Sequence, residues 1–574
     1  MKVLKNYFPV FILALCCVLY SWNFYERLIF VHGDEGFYSM GYFEGAGDWG
    51  PLYMLHYYLL NLLTNDSFIS LYINHFILTF AAIPWVTYLT LRLLKFNITS
   101  SSLAALIALL STWNYPSETR VHIFNYVVIL IAFILRWDSV KNISFKNTSF
   151  NLGKLFFYVI LGMSLYIRQD NIIIAIVAFV WDFFHSKQKK HLLIFALISI
   201  SIYFLLKIFF GNAYSHGRSV EIFMDHFLVN NRELFTQYAD SKMSGREILA
   251  VYFNKPTTLW QIFLSHPKEV IAHFIKNALL FFKNMYELSS LSLDSQWTAP
   301  TFLKVFFVFA IIKIFSNDLN SPDSKINFKE LVLLTLAFTI KCVGISILLN
   351  WWLKYYFELQ IILMAWIIVI LSLLKKHRTQ IKDQIIASCN DLTDLLNRII
   401  SKHSRKEASF LPVNSIFNFL KNNFIWIILP FLFFYYDYEN RTPRQEKEYY
   451  KIVEFFKLEN SIDPIMVAIS GNQLYLTPAI EHKQIDPWYH IELHPQIKSD
   501  FKKFLDDNRI DTVFMYNVLR TILMDNGIAE PFEKFEEAPE DYGFQRRYVN
   551  FNNQIVYRRI EKLPPILDNK NVVK

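Results

Sequence analysis

A helix needs about 20 mostly apolar residues to cross a lipid bilayer, and apolar stretches near that length recur along the first 436 positions. The pattern predicts about eleven transmembrane helices. They cover roughly residues 7–24, 68–94, 103–115, 122–137, 154–167, 172–184, 192–210, 302–315, 331–353, 355–374 and 424–436.

The composition agrees with a membrane protein, since 53% of the residues are hydrophobic and only 18% are charged. Lys2 and Lys5 precede the first apolar stretch, but no small-residue cleavage site follows it. We therefore interpret this stretch as a retained anchor helix and not as a signal peptide.

Basic residues collect in alternate short loops, as the positive-inside rule requires of cytoplasmic loops. The basic residues that mark the cytoplasmic side lie at 2–5, 92–95, 136–146, 187–190 and 375–378. The other connections, including 25–67 and 211–300, are predicted to face outward. Because the membrane explains the distribution of the +8 net charge, we do not expect a nucleic-acid partner.

Three amphipathic segments are predicted to lie along the membrane surface. Residues 51–63 are too short to cross, and they are expected at the outer interface together with 267–282. Segment 375–422 contains apolar residues at helical spacing between basic ones, which is typical of a helix on the cytoplasmic leaflet.

From residue 437 onward the chain has the pattern of charged residues and short apolar runs that is typical of a water-soluble domain. Short apolar runs at 464–470, 509–516 and 552–560 predict strands, and 497–508 predicts an amphipathic helix. We therefore expect a polytopic helical domain over 1–436 and a small α/β domain over 437–574. Its position outside the cytoplasm depends on the number of spans.

The sequence offers little for redox or metal chemistry. Its four cysteines lie in apolar or basic segments without CxxC spacing, and no nucleotide-binding or HExxH motif is present. We assign no metal site, although an acidic pair leaves Mg²⁺ or Mn²⁺ possible.

The sequence HGDEGFY places Asp34 and Glu35 between two glycines, just after the first predicted span. A helix cap would explain Asp34 but not Glu35. Further carboxylates follow at Glu44 and Asp48, and these could equally be solvated surface.

Cations are predicted on the same side of the membrane, at the outer ends of three spans: Arg120, Arg168 and Lys354. Each could simply reach toward lipid headgroups. Lys341 is different, because it lies inside a span, where an ionisable residue is by default a functional hypothesis. A base beside clustered cations fits the transfer of a group from a phosphate leaving group to a hydroxyl.

Residues 32–60, HGDEGFYSMGYFEGAGDWGPLYMLHYYLL, resemble the first outer loop of the GT-C membrane glycosyltransferases. The likeness is to the glycosyltransferase family 39-like branch, which includes protein O-mannosyltransferases and aminoarabinose transferases. The resemblance implies a GT-C-like fold with an extracytoplasmic C-terminal α/β domain.

The resemblance also implies roles for individual residues. Asp34 would be the general base, with Glu35 its catalytic neighbour. Residues that would bind substrate are Arg120, Arg168, Lys354, Tyr355, Asp48, Trp49 and Glu118. No DxD motif for a nucleotide sugar is present, in agreement with a lipid-linked donor.

We thus expect an inverting glycosyltransferase that moves a sugar from a polyprenyl phosphate to an extracytoplasmic lipid, glycan or protein. Its expected location is a bacterial inner membrane, with the active site on the periplasmic face. Two alternatives stay open. A transporter or lipid-sugar flippase would use Lys341, Lys207 and Lys313 as buried cations along a path, and an assembly protein would use the helices only as an anchor.

Overall fold

The structure is a computed structural model of the 574-residue chain. It describes residues 2–21, 35, 38–39, 50–110, 120–137, 143–145, 148–186, 189–213, 216–231, 233–235, 245–289, 311–316, 326–348, 358–377, 426, 428, 455–456, 458–470, 483–485, 487, 493–516, 519–520, 523–524, 527–549 and 555–560.

The described part of the chain is mostly helical. In chain order its first helices are α1 (Lys2–Ser21), α2 (Pro51–Thr64), α3 (Ser67–Phe76), a π-helical segment (Ile77–Ala82), α4 (Ile83–Leu93), α5 (Ile98–Leu110) and α6 (Arg120–Trp137). A two-stranded antiparallel hairpin, β1 (Ile143–Phe145) and β2 (Thr148–Phe150), then leads into α7 (Leu152–Ser164), α8 (Asn171–His185) and α9 (Lys189–Phe210).

The next helices are α10 (His216–Asn230), α11 (Gly245–Tyr252), α12 (Leu259–Ser265), α13 (Pro267–Ser289), α14 (Phe328–Leu348) and α15 (Glu358–His377). The helical prediction for residues 51–63 is confirmed by α2, and α13 extends the predicted segment 267–282 by seven residues. Of the predicted cytoplasmic segment 375–422, only residues 375–377 are among the described residues.

Five of these helices are long and apolar enough to cross a membrane: Ile69–Leu93, Arg120–Trp137, Lys189–Phe210, Phe328–Leu348 and Glu358–His377. Shorter apolar helices occupy Tyr7–Leu19, Ile98–Leu109, Leu152–Ser164 and Asn171–His185. This architecture is compatible with a helical membrane protein. The predicted spans 302–315 and 424–436 fall mostly outside the described residues, so the count of eleven spans stays a prediction.

One apolar core joins the helices of the bundle. It includes fully buried side chains from α5, α6, α7 and α14, such as Leu103, Leu130, Phe157 and Phe338. By contrast, α9 packs against α7 but leaves most of its apolar surface outside the core, as expected for a helix whose other side faces lipid.

A buried charge cluster ties helices together at one end of the bundle. Arg136 of α6 donates to both carboxylate oxygens of Asp182, at 2.5 and 2.7 Å, and to Glu330 at 3.1 Å. Lys154 also binds Asp182, at 3.1 Å. Arg136 is sixteen positions after Arg120 in α6, so the backbones of the two arginines lie about 24 Å apart along the helix axis.

The C-terminal described residues form a mixed five-stranded sheet of order β4-β3-β5-β7-β6. Its strands are β3 (Val467–Ile469), β4 (Lys483–Ile485), β5 (Thr512–Met515), β6 (Phe544–Val549) and β7 (Ile555–Arg559). The first three strands are parallel, whereas β5, β7 and β6 pair antiparallel. The three predicted strands therefore lie in one sheet, and β4 and β6 complete it.

The predicted helix over 497–508 is in fact two helices, α16 (His494–Ser499) and α17 (Phe501–Asp507). They are interrupted at Asp500, whose backbone is extended and whose carboxylate accepts a hydrogen bond from the amide of Lys503 at 2.9 Å. Asp500 therefore caps α17. The sheet and helix α18 (Ala529–Glu537) share a separate apolar core, and Tyr72 of α3 packs against both this core and that of the bundle.

Candidate functional site

Glu35 is completely buried, and four groups surround its carboxylate. The hydroxyls of Tyr53 and Tyr57 both donate to Oε1, the latter at 2.5 Å. The amide nitrogen of Asn74 lies 3.4 Å from the same oxygen, and the backbone N–H of Arg120 donates to Oε2 at 2.8 Å. We call these five residues the Glu35 cage.

The local sequence explains how two tyrosines reach one carboxylate. Tyr53 and Tyr57 are four residues apart on α2, so they lie on the same face of the helix. Asn74 lies across from them on α3 and donates to both hydroxyls at 2.8 Å, while its carbonyl contacts His56 at 3.0 Å. The π-helical segment begins three residues after Asn74, and such segments are frequent near functional sites.

The start of α2 also requires a glycine. Gly50 has a φ of 78°, and a Cβ at this position would lie 2.6 Å from the carbonyl oxygen of Ile167. The next helical residues, Pro51 at the first position and Leu52, whose amide binds the carbonyl of Tyr166 at 3.1 Å, fix α2 against the turn after α7. This glycine is the one that follows GDW in the sequence.

Burial raises the pKa of the Glu35 carboxyl above its ordinary value, although the hydrogen bonds from Tyr53, Tyr57 and Arg120 oppose the shift. Within the described part of the chain, Glu35 is therefore enclosed by protein groups and is not presented to solvent.

Arg120, a predicted phosphate-binding residue, is also fully buried. Its backbone amide holds Glu35, and its positive charge counters the burial of that carboxylate. The structure thus brings Arg120 and Glu35 together through the main chain and inside the protein, whereas the predicted role of Arg120 in phosphate binding stays a prediction.

Arg168, the second predicted cation, lies at the same end of α6. Its Nη1 contacts Nδ1 of His122 at 2.5 Å, two residues beyond Arg120. Its Nε and Nη2 each donate to Asp170 at 3.0 Å. The side chain of Arg168 retains 18% of its exposure, in contrast to the buried Arg120.

A second set of buried polar groups continues from Arg168 into the bundle. Lys341 donates to Glu358 at 2.6 Å and lies 3.6 Å from Asp170. Asn125 donates to Glu358 at 3.1 Å and pairs with Asn171. Sequence reasoning singled out Lys341 but missed its partners. The sequence signal that could have pointed to these partners is the presence of two asparagines in apolar helices, Asn125 within α6 and Asn171 at the start of α8.

Asp170 lies between α7 and α8, outside the membrane spans, and the pKa of its carboxyl is held below its ordinary value. Burial would raise it, but the positive charges of Arg168 and Lys341 outweigh that effect. Asp170 is therefore an anion shared by two cations.

The remaining predicted site residues lie outside the described residues. They are Asp34, Asp48, Trp49, Glu118, Lys354 and Tyr355. Their predicted roles stay predictions. Within the described ranges, no group of three or more His, Cys, Asp and Glu side chains could hold a metal ion.

The transporter hypothesis predicted Lys207 and Lys313 to be buried, and this prediction is wrong for both. Each lysine is exposed, Lys207 on the outward side of α9 and Lys313 in the short helical segment 311–316. Of the three cations proposed to mark a path, Lys341 alone is inside the bundle.

Comparisons with known proteins do not assign the chain to a family. No family model matches the chain, and no curated protein shows significant similarity to it. The likeness to GT-C enzymes therefore rests on residues 32–60.

Proposed function

We propose that the chain is a membrane glycosyltransferase that moves a sugar from a polyprenyl-phosphate donor to a hydroxyl-bearing acceptor. The observation that carries the proposal is the Glu35 cage, which anchors the residue next to Asp34 at the end of α6 where Arg168 lies. A general base beside a cation is the arrangement that transfer from a phosphate requires.

In this proposal Asp34 is the catalytic base, and Glu35 is a positioning residue. Glu35 is completely buried, and both of its carboxylate oxygens already accept hydrogen bonds from Tyr53, Tyr57 and the Arg120 amide, so it is poorly placed to reach a substrate hydroxyl. Its bonds instead connect the acidic turn to α2, α3 and α6. Asp34 is the residue before this anchor in the sequence.

The reaction is a single displacement. The acceptor oxygen forms a bond to the anomeric carbon as the bond from that carbon to the phosphate oxygen breaks. The acceptor proton passes to the carboxylate of Asp34, and the polyprenyl phosphate leaves with its negative charge. Arg168 stabilises that charge, and attack opposite to the leaving group inverts the anomeric configuration.

The proposed orientation places the Glu35 cage outside the cytoplasm and the Arg136 cluster at the cytoplasmic end. Arg136 and Lys154 lie together at that second end, and a cytoplasmic position for these cations would agree with the positive-inside rule. The contact of Tyr72 with the C-terminal core supports a C-terminal domain on the same side as the cage. A bacterial inner membrane with a periplasmic site, about eleven spans and a GT-C-like fold complete the proposal.

The test is transfer of radiolabelled sugar in membranes loaded with polyprenyl-phosphate donors. We expect wild type to consume donor and Asp34→Asn to fall by at least a hundredfold, because the amide cannot accept the proton at neutral pH. The matched control is Asp66→Asn, which changes a half-buried carboxylate that caps α3 and leaves an equally good cap. Equal activity of Asp34→Asn and wild type at matched expression would refute the assignment of the base.

A flippase is the second candidate, and the buried pair of Lys341 and Glu358 is the observation that favours it. A flippase would move the intact lipid-linked sugar between leaflets without breaking the bond between sugar and phosphate. Appearance of intact donor in the opposite leaflet, with no free polyprenyl phosphate, would support it over transfer.

A further inference from the structure

Lys341 occupies a place in the membrane region that is costly for an ammonium group. Its side chain is 1% exposed, and it lies in α14 among the buried apolar residues Phe338, Cys342 and Ile345. An ionised lysine in such surroundings needs compensating charge. Glu358 supplies that charge at 2.6 Å, from the first turn of α15.

The pair does not stand alone, because Lys341 also lies 3.6 Å from Asp170. Asp170 in turn binds the guanidinium of Arg168 through Nε and Nη2. Two cations and two carboxylates thus alternate in the order Glu358, Lys341, Asp170 and Arg168. Only the last pair is appreciably exposed, with side-chain exposures of 18% for Arg168 and 14% for Asp170.

The alternation decides how much positive charge Arg168 can offer a ligand. If Asp170 had no other cation nearby, its carboxylate would neutralise Arg168 completely. Because Lys341 shares Asp170, part of the positive potential of Arg168 remains available, while the hydrogen bonds to Asp170 still orient the guanidinium. An oriented guanidinium with residual positive potential is suited to bind a phosphate oxygen pair.

We propose that Lys341 is a positioning residue for a phosphate group held by Arg168, acting through Asp170 from inside the membrane region. The ligand is a phosphate monoester, and its source is the polyprenyl phosphate of the proposed function, on which this inference rests. Lys341 itself does not touch the ligand.

The experiment measures binding of polyprenyl monophosphate to the full-length protein in lipid nanodiscs, with inorganic phosphate as competitor. We expect Lys341→Met to bind at least tenfold more weakly than wild type, because Asp170 then pairs with Arg168 alone and neutralises its positive charge. Lys341→Arg retains the charge and should bind within a few-fold of wild type. An equimolar amount of inorganic phosphate should not displace the lipid.

The double variant Lys341→Met with Glu358→Gln separates positioning from stability. It removes both members of the buried pair, so no unpaired charge is left at that position, and folding should recover relative to Lys341→Met. Asp170 still has Arg168 as its nearest cation, so phosphate binding should stay weak. Recovery of wild-type binding by the double variant would overturn the proposal, because Lys341 would then serve only to pair with Glu358.

Arg136→Met is the matched control, since it breaks another buried ion pair at the opposite end of α6. It should lower thermal stability about as much as Lys341→Met and leave phosphate binding unchanged. Equal loss of binding in both variants, wild-type binding by Lys341→Met, failure of wild type to bind the lipid, or ready displacement by inorganic phosphate would each overturn the proposal.

The proposed function and this inference fail in different ways. Sugar transfer that depends on Asp34, together with unaltered phosphate binding in Lys341→Met, would keep the enzyme and reject the role of Lys341. Phosphate binding that depends on Lys341, without any sugar transfer, would keep the phosphate site and reject the glycosyltransferase.

Discussion

Replacing Glu35 by leucine should severely destabilise the protein. The substitution would leave three buried donors without their acceptor: the hydroxyls of Tyr53 and Tyr57 and the amide of Arg120. An unsatisfied buried donor costs about 1–3 kcal/mol, and relaxation makes such costs less than additive. We therefore expect Glu35→Leu to lose about 3–5 kcal/mol of the free energy of unfolding.

Glu35→Gln should cost less, since its carbonyl oxygen can keep the place of Oε1 and accept from both tyrosines. Its amide nitrogen would then face the backbone N–H of Arg120, donor against donor. The expected loss is that of one hydrogen bond together with an unsatisfied amide, about 1–3 kcal/mol.

The assay is equilibrium unfolding of each variant in mixed detergent micelles, followed by near-ultraviolet circular dichroism. A matched pair comes from α2, where Tyr57 is buried in the cage and Tyr58 is exposed. Tyr57→Phe should lose about 1 kcal/mol, and Tyr58→Phe, which changes an exposed side chain, should lose less. Wild-type stability of Glu35→Leu would refute the cage, and equal losses from Glu35→Gln and Glu35→Leu would refute the division of bonds between its two oxygens.

Two further predictions concern single positions. In the same unfolding assay Gly50→Ala should cost about 1–3 kcal/mol, because Gly50 has a positive φ and a Cβ there would collide with the carbonyl of Ile167. Gly211→Ala should cost less, because Gly211 has a similar φ of 83° but open space around it. Equal losses would contradict the steric argument. Burial lowers the pKa of His273 from 6.5 to about 4, so the unfolded state binds its proton first and stability should fall as pH drops from 6.5 toward 4, by up to about 3 kcal/mol. His273→Gln should flatten this pH dependence, and an unchanged slope in His273→Gln would reject buried, neutral His273 as the cause.

Much of the fold could be predicted because it depends on local patterns. Apolar runs gave the positions of α1, α6, α9 and α14 to within a few residues, since a helix in lipid must satisfy its own backbone and cover it with apolar side chains. Short apolar runs likewise gave three strands of the C-terminal sheet. The break at Asp500 was missed, because a capping residue inside a helical pattern has only a weak sequence signal.

The candidate site could be predicted only in part. The acidic turn, Arg120 and Arg168 stood out as charged residues at the ends of apolar spans, and the structure places the described members of this set at one end of α6. Their partners were not evident. In the sequence Tyr53 and Tyr57 look like ordinary interfacial aromatic residues. Only the packing of α3 against α2 brings Asn74 to their hydroxyls and completes the hydrogen-bond network around the carboxylate.

The pattern along the chain was enough to predict a helical membrane protein and to single out residues whose charge is unusual in one, because hydrophobicity and helical period are local properties. Tertiary structure decided which charges compensate each other. Asn125 and Glu358 meet across 233 positions of the chain, and Lys341 faces Glu358 and Asp170, whereas Lys207 and Lys313 face outward. The burial of a charge depends on helix packing and on long-range pairing, and the spacing of residues within one segment predicts neither.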